Sequence, residues 1–114
     1  MNATLEARTA PRDLTLHRLE RALKERVRYR FVRPTVLIDA DGYRVESPCC
    51  SRNVDPSGGT IAIALLQPPE GGHPCWTLCS RDHQQQTWVV KERADQIEPL
   101  LDLLCLDRER CFWP

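Results

Sequence analysis

The fold of this chain is decided by residues 43–66, YRVESPCCSRNVDPSGGTIAIALL, which contain two strand-like segments joined by a turn. In the first segment Tyr43 and Val45 alternate with polar residues, and period two is the spacing of a strand that buries one face. The second segment has two alternating sets, which are Ile61, Ile63 and Leu65 in one and Ala62, Ala64 and Leu66 in the other. Between them, residues 55–59 combine proline and glycine in the manner of a turn. The stretch predicts a hairpin at the centre of a sheet.

Further strands are predicted on both sides of this hairpin. Residues 35–40 are predicted to form a strand with Val36, Leu37 and Ile38 at its centre, and the Asp41-Gly42 pair that follows suits a tight turn into Tyr43. Alternation also predicts strands in residues 27–31, 75–80 and 87–91. Successive strands separated by short turns make a meander. We therefore expect an antiparallel meander sheet of five or six strands.

A helix is predicted at each end of the sheet. From Asp13 onward Leu16, Leu19, Leu23 and Val27 recur at spacings of three and four, and Ile97, Leu100, Leu101 and Leu104 do the same near the C-terminus. Pro99 is tolerated in the first turn of the second helix because amides there lack helical partners. The order predicts an α+β fold, flanked by an N-terminal and a C-terminal helix that lie on one face of the sheet. Residues 1–12 are predicted to be a flexible arm, and residues 13–114 a single domain.

Composition restricts the function classes. The 114 residues are 41% hydrophobic and 28% charged, and no apolar run approaches the roughly 20 residues that cross a bilayer. Without a secretory signal near the N-terminus we expect a cytoplasmic protein, whose six cysteines stay reduced. The formal net charge is zero, yet residues 8–33 hold nine basic and three acidic side chains. Residues 34–114 hold seven basic and twelve acidic ones, so the chain is electrically polarised.

Thiols and imidazoles supply the most suggestive chemistry. The candidate thiol or metal-binding residues are Cys49, Cys50, His73, Cys75, Cys79 and His83. Thiolate and imidazole are the ligands of structural zinc, but such sites take their ligands from a tight knuckle. On a strand Cys75 and Cys79 would lie about 13 Å apart, and adjacent cysteines on extended backbone point to opposite faces. Zinc binding or thiol redox chemistry therefore stands as an alternative function.

Catalysis by a cysteine nucleophile is also considered. Arg52 is close enough in sequence to lower the pKa of Cys49 or Cys50, with His73 or His83 as the base. The sequence contains neither a nucleophile elbow nor a C-x-x-C redox motif. No catalytic residue can therefore be assigned from the sequence.

A basic segment near the N-terminus is the feature that favours nucleic acid. Its candidate binding residues are Arg18, Arg21, Arg28, Arg30 and Arg33. Arginine suits phosphate, but no nucleic-acid recognition motif accompanies these residues. Nucleic-acid binding is thus the second alternative. The same charge asymmetry also fits a protein partner or self-association, with the basic part of one chain against the acidic part of another.

The function predicted from these patterns is that of a small accessory module that binds another protein. Two helices on one face leave the other face of the sheet open to water or to a partner. The predicted partner-binding face contains Arg44, Glu46, Ala62, Ala64 and Thr77, which is less polar than a solvated face. The proline- and glycine-rich loop of residues 67–74 is a second candidate surface. Phe112 and Trp113, large aromatics near the C-terminus, are predicted to dock on the domain, over Trp76 or Trp88.

Overall fold

A computed structural model describes residues 2–26, 33–48, 59–70 and 74–113, with the side chains of the first helix described from Leu14 onward. The elements in chain order are helix α1 (Asn2–Glu25), strands β1 (Thr35–Asp39), β2 (Gly42–Pro48), β3 (Thr60–Gln67), β4 (Trp76–Asp82) and β5 (Thr87–Ala94), and helix α2 (Glu98–Leu106). The predicted α+β fold is confirmed, with five strands in the described part of the chain. The strand predicted at residues 27–31 and most of the turn predicted at 55–59 lie outside the described residues.

The sheet is an antiparallel meander in the order β1-β2-β3-β4-β5. The tightest connection joins β1 to β2, where the Asp39 carboxylate accepts hydrogen bonds from the amides of Asp41 (2.8 Å) and Gly42 (3.2 Å). Gly42 has φ +139°, and a Cβ there would lie 2.5 Å from the carbonyl oxygen of Leu66 on β3. A glycine is therefore required where β1 turns into β2, because β3 passes directly beside it.

Both helices cover the same face of the sheet. Leu19 and Leu23 of α1 share one buried cluster with Leu100 and Leu104 of α2, and this cluster includes sheet residues such as Tyr43. The helix-covered face therefore carries the hydrophobic core. Within the described residues, no helix combines the length and the apolar character needed to cross a membrane.

Helix α1 begins at Asn2, eleven residues before the predicted start at Asp13. The backbone of residues 2–12, predicted as an arm, is therefore helical, and Pro11 lies inside the helix. An arm was predicted there because residues 1–12 are polar and show no apolar periodicity that would pack them against the domain. Leu19 and Leu23 are buried as the spacing predicts, and Leu16 is half-buried beside them.

A β-bulge in β3 changes which of its side chains face the helices. Val45 pairs with Ala64 and Glu46 pairs with Ala62, so Ile63 is an extra residue on β3. Ile63 and Ala64 are consecutive, yet both belong to the core cluster. Ala64 was predicted on the open face, and this is wrong because the bulge reverses the alternation along the strand. Leu65, predicted to share a face with Ile63, instead pairs with Arg44 and Cys79 on the open face.

The open face of the sheet has a buried centre. Leu65, Thr77 and Cys79 are buried there although the described helices cover the opposite face. Arg44 lies beside them, with its guanidinium 3.1 Å from the Asp39 carboxylate and 3.2 Å from that of Glu46. Of the five residues predicted for a partner-binding face, Arg44, Glu46, Ala62 and Thr77 therefore share one side of the sheet.

Candidate functional site

Helix α2 buries only part of its apolar surface. Pro99 occupies its first turn, and the stripe of Leu100, Leu101 and Leu104 packs into the core. Two further leucines fall outside this stripe, and they remain 44% (Leu103) and 40% (Leu106) exposed. Large apolar side chains with such exposure on one helix face leave apolar area available to a ligand.

The C-terminal segment folds back around a buried carboxylate. Asp107 ends α2 in the left-handed conformation (φ 42°, ψ 52°), and its amide donates to the carbonyl of Leu103. Its carboxylate accepts hydrogen bonds from the amides of Cys111 (2.7 Å), Phe112 (3.2 and 3.3 Å) and Trp113 (2.9 Å). A carboxylate that receives three backbone amides fixes the path of the chain, because charge-assisted hydrogen bonds are strong when buried.

Trp113 connects this segment to both helices. Its indole Nε1 donates to the carbonyl oxygen of Leu104 at 2.9 Å, and the guanidinium of Arg26 lies 4.5 Å from its ring centroid. Arg26 is buried, and it also donates to the carbonyl oxygen of Leu23 near the end of α1. Burial lowers the pKa of Arg26. Phe112 and Trp113 are thus held in the core, and the ring of Trp113 stacks against the guanidinium of Arg26.

A cleft of about 560 Å³ lies between α2, β5 and the C-terminal segment. Leu103, Leu106 and Pro99 line it from α2 and its first turn, and Phe112 lines it from the segment that Asp107 holds. We call this site the α2–β5 cleft. Its volume lies within the usual range for ligand-binding sites. Its apolar lining is continuous with the core, since Phe112 belongs to both.

Charged side chains of both signs surround this apolar lining. They are Lys91 and Glu92 from β5, Asp102 from α2, and Arg108 and Glu109 from the turn after α2. Lys91 and Glu92 are consecutive, and they line the same cleft because β5 has a bulge there: Leu78 pairs with Glu92, whereas Cys79 pairs with Val90. A polar rim around an apolar centre is the arrangement of protein-binding sites.

The predicted thiol and metal-binding residues are not assembled in the described structure. Cys49, Cys50 and His73 lie outside the described residues. Cys75 donates to the Asp95 carboxylate (3.3 Å), Cys79 lies within β4, and His83 is in the turn after β4. Among the residues that are described, no three His, Cys, Asp or Glu side chains form a group suited to a metal ion.

Three of the described thiols, those of Cys75, Cys79 and Cys105, are electrostatically unsuited to nucleophilic chemistry. The hydrogen bond to Asp95 raises the pKa of Cys75, and burial raises the pKa of Cys79. Burial raises the pKa of Cys105, between the two helices, to about 11. A reactive cysteine needs a lowered pKa, because the thiolate is the nucleophile. Burial and the charge of Arg81 lower the pKa of His83, which favours its neutral form.

Of the predicted basic residues, the structure describes Arg18, Arg21 and Arg33. Arg18 pairs with Glu98 of α2 at 2.6 Å, and Arg21 pairs with Glu25 at 3.3 Å. Arg33 lines a recess of about 400 Å³ between α1 and β1, together with Lys24 and Arg26. Arg28 and Arg30 lie outside the described residues. Two of the five predicted cations are thus engaged by carboxylates.

The α2–β5 cleft and the role of Asp107 were not predicted from the sequence. A signal for the cleft was present, since Leu103 and Leu106 are apolar positions that fall outside the 3.6-residue stripe of α2. No comparable signal marks Asp107. An acidic residue after a helix is common, and the role of this one depends on the reversal of the chain that follows it.

The fold and the cleft together define a small α+β domain, in which two helices cover one face of a five-stranded meander and α2 borders an open apolar cleft. The chain belongs to the family described as a domain of unknown function (DUF3024), which it matches over residues 7–114. No curated protein matches the chain, and no solved structure does so either.

Proposed function

We propose that this protein is a protein-binding module and that the α2–β5 cleft is its docking site. The observation that carries the proposal is the exposure of Leu103 and Leu106 on α2, beside Phe112 and inside a charged rim. Burying two leucines against a partner would contribute roughly 2 kcal/mol each, because both are partly exposed in the free protein. A contribution of this size per residue is typical of the few central residues that dominate the binding free energy of an interface.

The cleft favours a short amphipathic segment as its ligand. Leu103 and Leu106 are three residues apart on a helix, so their side chains lie on neighbouring turns of one face. An apolar side of the ligand would fill this floor, and its polar residues would meet the cationic and anionic rim. This is the pattern by which an amphipathic helix binds a hydrophobic groove.

Selection from a displayed library of peptides about 12 to 16 residues long tests the proposal. We expect enriched peptides with spaced apolar residues, and a loss of affinity of about tenfold or more when Leu103→Glu or Leu106→Glu places a charge in the floor. Leu14→Glu is the matched control, since Leu14 is an exposed leucine on α1 and does not line the cleft. Its affinity should equal that of the unaltered protein.

A second variant distinguishes the cleft from the open face of the sheet. Ala62 lies on that face opposite Glu46, so Ala62→Glu adds a charge there and leaves the cleft unchanged. If Ala62→Glu abolishes peptide binding and Leu103→Glu does not, the docking site is the open face. Failure to enrich any peptide, or equal binding by all four variants, would reject the cleft as a peptide-binding site.

A further inference from the structure

The two edges of the sheet are protected to different degrees. An edge strand exposes unpaired backbone amides and carbonyls, which another strand can join unless charges or a bulge prevent it. Strand β5 has both devices, since a bulge interrupts its pairing at Lys91 and the sequence Lys91-Glu92-Arg93 is charged throughout. The bulge and the charges of β5 therefore oppose the addition of another strand at this edge.

Strand β1, at the other edge, has no bulge, and its only charged residue is Asp39 at its C-terminal end. Its pairing with β2 runs without a register shift from Thr35 to Asp39, and no other strand of the described residues pairs with it. Its three central residues are Val36, Leu37 and Ile38, of which Leu37 is 37% exposed and Ile38 is 38% exposed. A regular, apolar and unpaired edge of this kind is a template for strand addition.

We propose that a second copy of this chain pairs antiparallel with β1, about a two-fold axis at Leu37, and that the two sheets become one continuous sheet. In this register Leu37 lies opposite its own counterpart, and Val36 lies opposite Ile38 of the partner subunit. Directly opposite residues share a face, so each apolar side chain meets another apolar side chain. The contact is isologous, as a closed dimer requires.

Charge complementarity supports this antiparallel pairing. Arg33 lies two residues before β1 and Asp41 lies in the turn just after it, so antiparallel pairing brings the basic end of each strand near the acidic end of the other. Neither Arg33 nor Asp41 forms a salt bridge within the described part of its own chain. The antiparallel pairing therefore brings together two charged side chains that are exposed in the single chain.

Sedimentation of the full chain as a function of concentration tests the proposal. Two five-residue strands make a small interface, so we expect a dissociation constant in the micromolar range. The mass should rise from 13.1 kDa to twice that value between about 1 and 300 µM. Leu37→Lys places two ammonium groups face to face at the axis and should leave a monomer throughout. Val90→Lys is the matched control on the other edge strand, and its association should be unchanged.

Charge exchange tests the antiparallel arrangement of the two strands. Arg33→Asp alone, or Asp41→Arg alone, brings like charges together at both ends of the interface and should weaken association about tenfold or more. The double variant restores opposite charges and should return the dissociation constant to within about threefold of the original. A chain that remains at 13.1 kDa at the highest concentration would overturn the proposal. So would equal loss of association in Val90→Lys, or a double variant as weak as the single ones.

Discussion

The carboxylate of Asp107 holds the C-terminal segment in place, and replacing it with an amide should destabilise the domain by about 3 kcal/mol. Asp107→Asn keeps the shape of the side chain, and asparagine tolerates the left-handed conformation found there. It exchanges one carboxylate oxygen for an NH₂ group. Whichever way the amide is turned, that donor faces the amide of Cys111 or that of Trp113, which now donate to different oxygens.

The magnitude follows from the hydrogen bonds that are lost. A hydrogen bond to a charged group contributes about 1.5–3 kcal/mol, and a buried donor left without an acceptor costs about 1–3 kcal/mol. One such loss accounts for roughly 3 kcal/mol of the 5–15 kcal/mol that stabilises an ordinary domain. For a chain of this length the midpoint of thermal unfolding should fall by about 10 °C.

Denaturant unfolding, followed by tryptophan fluorescence, measures the change in stability. Asp102→Asn is the matched control, because it makes the same chemical change on the exposed side of the same helix and should stay within about 0.5 kcal/mol. Amide hydrogen exchange at residues 111–113 shows whether the loss is local: we expect faster exchange there under conditions that leave the sheet protected. Asp107→Asn and Asp102→Asn of equal stability, with unchanged exchange at residues 111–113, would refute the reasoning.

Two further predictions concern Cys105 and Gly42. The folded state raises the pKa of the Cys105 thiol to about 11, so its contribution to stability is complete below the ordinary thiol pKa of about 8.5 and is lost as pH rises through 11. Denaturant midpoints between pH 8 and 11 should therefore fall more steeply for the unaltered protein than for Cys105→Ala, and parallel curves would contradict this. Gly42→Ala should lower the free energy of unfolding by about 2–4 kcal/mol, because its Cβ would meet the backbone of Leu66 at a φ that suits glycine. Ala40→Ser in the same turn is its control, and a Gly42→Ala variant as stable as that control would show that the turn relaxes freely.

The meander could be predicted because its turns and alternation agree with each other. The Asp-Gly pair before Tyr43 and the period of two on each side of it indicate the same hairpin, and β1 and β2 pair as expected. The bulge in β3 could not be predicted. In residues 61–66 every side chain is apolar, so the alternation shows a strand but does not show which set faces the helices.

The candidate site was predicted less completely than the fold. The size of Phe112 and Trp113 predicts burial, and both are buried. The hydrogen bonds from the amides of Phe112 and Trp113 to the Asp107 carboxylate depend on a reversal of the chain after α2. No local sequence pattern encodes that reversal. The cleft depends on the same reversal, because Phe112 forms one of its walls. Leu103 and Leu106 could be recognised from the sequence as apolar positions outside the buried stripe of α2. The cleft that they line could not be predicted, because it forms only when the C-terminal segment folds back.

The two proposed surfaces have a joint consequence, because they lie at opposite edges of one sheet. Pairing through β1 leaves β5 and the α2–β5 cleft uncovered in each subunit. The continuous sheet would have ten strands, and at about 4.8 Å per strand its two β5 strands would lie roughly 43 Å apart before twist is considered. A partner that carries two copies of a docking segment on a flexible linker long enough to span that distance would bind both clefts at once. Its second binding step would then be governed by an effective concentration set by the linker, so modest affinity at each cleft would suffice for stable assembly.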